Sequence, residues 1–143
     1  MNWRSARRKG GALVVLDSWA LLAYLKDEVA ATRIEGEWVV RGAAISSINL
    51  GETLYIRIRE RGEQSATADI ETIRKSSTVI DPDWSIVVAA AQIKAQGGLS
   101  YADAFCIATA LHLDAPPWTG DPEIVEQAGR FSCEVVDLRT AAT

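Results

Sequence analysis

Apolar positions along the chain fall into short, nearly unbroken runs, separated by longer stretches in which they recur every three or four residues. Residues 12–16 (ALVVL) form the first run, which reads as a strand buried on both faces. Asp17-Ser18 ends it and can cap a helix over residues 19–26, with Leu21, Leu22 and Leu25 on one side. A second strand is read within residues 38–45, ending at Ser46-Ser47, followed by a helix from about Asn49 to Arg61 that Gly62 stops. Residues 63–75 form a third, more polar helical stretch, and residues 78–80 a short strand closed by Asp81-Pro82. Asp83 can cap a helix running to Gln96, with Gly97-Gly98 as its stop. Ser100 opens the next helix, which runs to about Leu113, and Asp103 three residues on makes an arrangement close to a capping box. Residues 116–119 read as a strand, Gly120-Asp121-Pro122 as a turn, residues 123–128 as a helical turn or two, and residues 134–136 as the last strand. Short apolar strands alternating with helices predict an α/β fold, with a central parallel sheet of about five short strands flanked by helices on both faces.

Length and composition agree with that picture. A chain of 143 residues fits one domain, expected over residues 12–143, and can bury a core without disulfides or a structural metal. Residues 1–11 read as a basic arm carrying Arg4, Arg7, Arg8 and Lys9. The longest apolar runs, such as residues 85–91, are far short of a membrane span, and no signal-peptide core precedes Asp17. A cytoplasmic protein with no membrane association is expected. Cys106 and Cys133 lack metal-ligand spacing and are expected as free thiols. His112 is the only histidine, which argues against a histidine zinc site and against a serine–histidine triad.

Asp17, Glu52, Asp103 and Asp121 then stand out by where they fall. Asp17 and Asp121 each follow a short apolar strand, and Glu52 and Asp103 each sit near the start of a helix. In open α/β sheets ligands gather outside the carboxyl ends of the strands. Taken singly, each acid has an ordinary explanation: Asp17 a helix cap, Asp103 a helix-start acid favoured by the macrodipole, Glu52 a solvated helix residue, Asp121 turn chemistry. Their surroundings weigh against that. Glu52 lies in INLGETLYI and Asp103 in SYADAFCIATAL, acids set among apolar residues, and no Arg or Lys stands in the turn around Asp17, Asp103 or Asp121. Clustered, buried carboxylates repel and raise one another's pKa values, and a hard divalent cation such as Mg²⁺ or Mn²⁺ relieves that. The net charge of −4 looks unfavourable for a nucleic-acid binder, but without these acids the remaining acidic and basic residues balance.

VVLDSWALLAYL, SSINLGETLY, LSYADAFCIATAL and WTGDPEI, in that order, resemble the acidic motifs of PIN-domain proteins, most nearly the VapC toxins of type II toxin–antitoxin systems. The likeness spans about residues 12–137. It implies a three-layer PIN-like fold and cleavage of RNA by a Mg²⁺- or Mn²⁺-dependent endoribonuclease. By position Asp17, Glu52, Asp103 and Asp121 match the family's acids, Asp17, Asp103 and Asp121 holding metal and Glu52 completing the site or orienting water. Thr119 matches a hydroxyl residue that supports the last acid, and Trp19 departs from the small residue many relatives carry there. The resemblance also implies an RNA substrate, a cognate antitoxin and a homodimer. Substrate grip must come from outside an all-acid pocket; candidates are Arg57, Arg59, Arg61 and the basic arm, each of which also reads as a solvated charged face. Trp19, Trp84 and Trp118 read as core or interface rather than base-stacking platforms. A PIN-fold RNA-processing nuclease that is not a toxin, and an inactive PIN-fold binding module, remain as alternatives. A haloacid-dehalogenase-like phosphotransferase lacks its second Asp, since Trp19 stands there, and the paired acids and lysine of a receiver domain are not evident.

Overall fold

A computed structural model of the chain describes residues 13–139. The basic arm expected over residues 1–11 lies outside them. The strands are β1 (Val14–Leu16), β2 (Ala43–Ser46), β3 (Thr78–Ile80), β4 (Pro117–Thr119) and β5 (Val136–Asp137). The helices are α1 (Ser18–Leu25), α2 (Ala31–Arg41), α3 (Ser47–Arg61), α4 (Glu63–Ser76), α5 (Trp84–Ala95), α6 (Tyr101–Leu113) and α7 (Pro122–Glu126), with a 3₁₀ turn at Ala128–Arg130. All strand pairs are parallel and the order is β3-β2-β1-β4-β5. The chain therefore builds outward from β1 on one side and later returns to its other side. The gap between the carboxyl ends of β1 and β4 is the topological switch point at which such sheets bind ligands.

Strand alternation sorts the core into two layers. Val14 and Leu16 of β1 and Ala43 and Ile45 of β2 pack with Leu21, Ile34, Leu50, Ile70 and Ile73, so α1 to α4 share that face. Leu13, Val15 and Ala44 point the other way, onto Cys106, Ala110 and Leu113 of α6, which α5 backs. Burial on both sides is why β1 reads as an unbroken apolar run rather than an alternating one. Each fully buried Leu or Val of this run contributes about 1.5–3 kcal/mol over its exposed state. Among the described residues no helix is long and apolar enough to cross a membrane.

The expected strand within residues 38–45 needs correction. Trp38 and the residues before it belong to α2, and only Ala43–Ser46 is a strand. Ala31 and Ile34 are buried and Trp38 packs on Tyr24 with ring centroids 5.3 Å apart, a helical spacing. Val39 and Val40, whose β-branched side chains favour a strand, are instead 81% and 71% exposed on this helix. Gly42, at φ 79°, ends it in a backbone conformation that side-chain-bearing residues rarely adopt. The helix read from Asn49 begins at Ser47, capped by the Ser46 hydroxyl, so Glu52 falls in its second turn and not its first. The last strand lies at Val136–Asp137, later than read.

Candidate metal centre

Asp17 leaves the carboxyl end of β1 and caps α1, its Oδ1 accepting from the Ala20 N–H at 2.9 Å. Its Oδ2 accepts from the Thr119 hydroxyl at the end of β4. An ionised carboxylate can only accept, so Thr119 gives its hydroxyl proton to Asp17, while its Oγ1 accepts from the Asp121 N–H at 2.9 Å. Thr119 thus joins both strands across the switch point and holds the turn that carries Asp121. Asp121 caps α7 through the Glu123 N–H. Asp103 arrives from the first turn of α6, which the Ser100 hydroxyl caps at 3.1 Å. Glu52, on α3, accepts a hydrogen bond from the hydroxyl of Ser18, the residue next to Asp17.

One carboxylate oxygen of each of Asp17, Asp103 and Asp121 lies within 4.8 Å of the others. Asp17 is 1% and Asp103 4% exposed. Burial pushes the carboxyl of Asp17 up to about 7, against the hydrogen bonds from Thr119 and Ala20, and Asp103 and Asp121 push it further the same way. Asp103 also rises to about 7, first through burial and then through Asp121, with Glu52 adding to it. The charged groups that act on both are therefore other carboxylates. Buried oxygens that repel one another at this spacing fit a hard divalent cation, which is held by carboxylate and water oxygens. Cys106, in the core beneath, is a neutral group: its fully buried thiol is pushed well up by burial and then by the charges of Asp17 and Asp103. It is a free thiol, as is the half-buried Cys133.

Glu52 stands outside the trio and reaches it through Ser18 and through its charge on Asp103. Ser18, read from the sequence only as part of a helix start, is a further member of the site, and its place beside Asp17 was the available signal. The basic residues divide. Arg57 leaves the substrate-contact candidates: it is 5% exposed and pairs with Glu60 at 3.3 Å and Asp69 at 3.8 Å, which ties α3 to α4. Arg59 and Arg61 are exposed, and Arg59 lies over the ring of exposed Tyr55, 5.1 Å from its centroid. Trp118 is core, with Arg33 over its ring at 4.9 Å, whereas Trp84 is 76% exposed.

Trp19 lies against Gly120, where an added Cβ would run into its indole ring. Gly120→Ala must displace that ring or the turn holding Asp121. It is expected to destabilise the fold by about 1–3 kcal/mol, as overpacking does. In urea melts the double variant with Trp19→Ala should lose less than the two single losses summed; strict additivity would contradict the contact.

A family model described as the PIN domain matches residues 14–130. No curated protein sequence matches the chain. Among solved structures, a chain of DNA-bound VapBC from Salmonella typhimurium is 17% identical with a TM-score of 0.71, over 89% of this chain and 98% of that one. VapBC-1 from nontypeable Haemophilus influenzae is 17% identical with a TM-score of 0.68, over 90% of this chain and 99% of that one. VapC20 from Mycobacterium tuberculosis, described as a sarcin-ricin-loop-cleaving toxin, is 17% identical with a TM-score of 0.66, over 82% of this chain and 95% of that one. At such identity these neighbours speak for the fold alone, and that fold is the five-stranded parallel sheet described above. With a family match over most of its length, this chain belongs to the PIN domain family.

Proposed function

We propose that the chain is a divalent-metal-dependent endoribonuclease, the toxin of a VapC-type toxin–antitoxin pair. The observation that carries this reading is the approach of Asp17, Asp103 and Asp121 within 4.8 Å at the switch point of a PIN-domain sheet. These three carboxylates would hold Mg²⁺ or Mn²⁺. When bound, the ion supplies Lewis-acid polarisation of the phosphodiester and lowers the pKa of a water. Thr119 and the Ala20 N–H fix both oxygens of Asp17, so its orientation is set before substrate arrives. Glu52, held by Ser18 on the half-buried side of α3, orients the attacking water and can take its proton. Arg59, on the exposed side of α3 with Tyr55 beside it offering a face for a base, and Arg61, exposed at the end of that helix, meet the phosphates.

One structural neighbour is described as a toxin–antitoxin complex, another as a member of the VapBC family of toxin–antitoxin systems, and a third as a toxin that cleaves the sarcin-ricin loop, which supports an RNA substrate and an antitoxin partner for this chain. A homodimer acting in the cytoplasm belongs to the same reading. The test joins an assay and a growth experiment. The purified chain should cut a stem-loop RNA in Mn²⁺ and not in EDTA, and its induced expression should arrest growth. Metal-dependent cleavage without arrest would leave an RNA-processing nuclease in place of a toxin. No cleavage in Mg²⁺ or Mn²⁺ would overturn the enzyme reading in favour of a binding module.

A further inference from the structure

Asn49 lies three residues before Glu52 on α3, and its side chain leaves that helix altogether. Its Nδ2 donates to the carbonyl of Ala102, 3.0 Å away in the first turn of α6 and immediately before Asp103. A carbonyl can only accept, so the amide orientation is fixed, with Nδ2 toward α6. Asn49 is 0% exposed, and its Oδ1 is buried with no hydrogen-bond partner.

A half-satisfied amide is a poor choice for stability at such a position. Leucine has the same branching and the same number of non-hydrogen atoms, and it would leave no buried acceptor unpaired. Ala102 would keep its place in the helix, since a carbonyl has a second lone pair for the intrahelical bond. The bond to Ala102 therefore has another consequence: it sets the height of α6 against α3, and so the reach of Asp103 relative to Glu52. We propose that Asn49 is a positioning residue that fixes the separation of Glu52 and Asp103 across the acidic centre. This rests on the reading that those carboxylates serve a divalent cation. The neighbouring ties reach the same centre from other elements: Thr119 joins β4 to Asp17, and Ser18 joins α1 to Glu52. Asn49 adds a side-chain hydrogen bond from α3 to the backbone of the first turn of α6, beside Asp103.

The experiment uses the full chain and Mn²⁺ alone. Thermal melting is measured in EDTA, and Mn²⁺ uptake is followed through the paramagnetic resonance signal of the free ion. Wild type, Asn49→Leu, Asn49→Ser and Asp103→Asn are compared. Asn49→Leu should melt in EDTA at or above the wild-type temperature and yet bind Mn²⁺ about 10–100-fold more weakly, the usual consequence of losing an outer support. Asn49→Ser, whose hydroxyl is too short to reach Ala102, should weaken Mn²⁺ to the same degree and serves if the leucine variant does not fold. Wild-type Mn²⁺ affinity in a folded Asn49 variant, with Asp103→Asn impaired, would overturn the positioning role while the metal reading stands. A wild-type chain that takes up no Mn²⁺ would overturn both.

Discussion

Asp17→Asn is expected to reduce RNA cleavage by about 10²–10⁴-fold, equivalent to roughly 3–5 kcal/mol of lost transition-state stabilisation. The substitution is nearly isosteric. The introduced amide keeps an oxygen for the Ala20 N–H, so the start of α1 should stay capped. What disappears is one negative charge at the centre of the acidic trio, together with the oxygen that receives the Thr119 proton. The loss should therefore appear in turnover and in metal affinity, while affinity for RNA in EDTA stays at the wild-type level. Single-turnover cleavage over a Mn²⁺ titration measures both. A variant within tenfold of wild type at saturating Mn²⁺ would remove Asp17 from the chemistry. Cleavage by the unaltered chain should also rise with pH through about 7, the value to which Asp17 and Asp103 are raised, because a cation competes with protons for those oxygens.

In the absence of metal, the same acids should make the protein less stable as pH rises. Unfolded, both carboxyls titrate near 4; folded, both titrate at about 7. Between these values the folded state binds more protons than the unfolded one, so stability falls with increasing pH and is lowest above the folded values. For the coupled pair the loss is on the order of a few kcal/mol. The acids held below their ordinary range, Glu71, Asp83 and Asp137, shift in the opposite sense. Their contribution changes only at more acidic pH, outside the window from 5 to 8. Asp103→Asn removes one of the two raised groups and relieves Asp17 of a neighbour. It should be more stable than wild type at pH 8 in EDTA and show a flatter pH dependence. Mn²⁺ should stabilise wild type at pH 8 and do little at pH 5, by the linkage of ligand binding to folding. Urea melts at the two pH values, with and without Mn²⁺, give the comparison. Wild-type stability that climbs from pH 5 to pH 8 in EDTA, with Asp103→Asn following the same curve, would contradict the burial of these charges.

The acids were legible because Asp17 and Asp121 follow short strands and Glu52 and Asp103 stand among apolar residues near helix starts, where plain solvation does not account for them. Their supports were not. Ser18, Asn49 and Thr119 act on partners 34, 53 and 102 residues away. No local spacing encodes such contacts; only Thr119 was reached, through family resemblance. The alternation of strands and helices gave the architecture, since burial on both faces leaves continuous apolar runs at β1 and β4. It failed at α2, where Val39 and Val40 have strand-forming side chains on an exposed helical surface and only Ala31, Ile34 and Trp38 carry the helical spacing. Arg57 failed for a related reason. Three arginines spaced two apart look equivalent in sequence, but the helix turns Arg59 outward and Arg57 inward to Glu60 and Asp69, while Arg61, on the face of Arg57, stays exposed because the helix ends there.

Whether carboxylates distant in sequence share one cation can be seen in a crystal of the full chain soaked in Mn²⁺ at pH 8 and measured for anomalous scattering. A peak is expected among the carboxylate oxygens of Asp17, Asp103 and Asp121, lost in Asp103→Asn. Ordered density for all three acids with no anomalous peak among them, or a peak seated elsewhere and indifferent to that substitution, would contradict it.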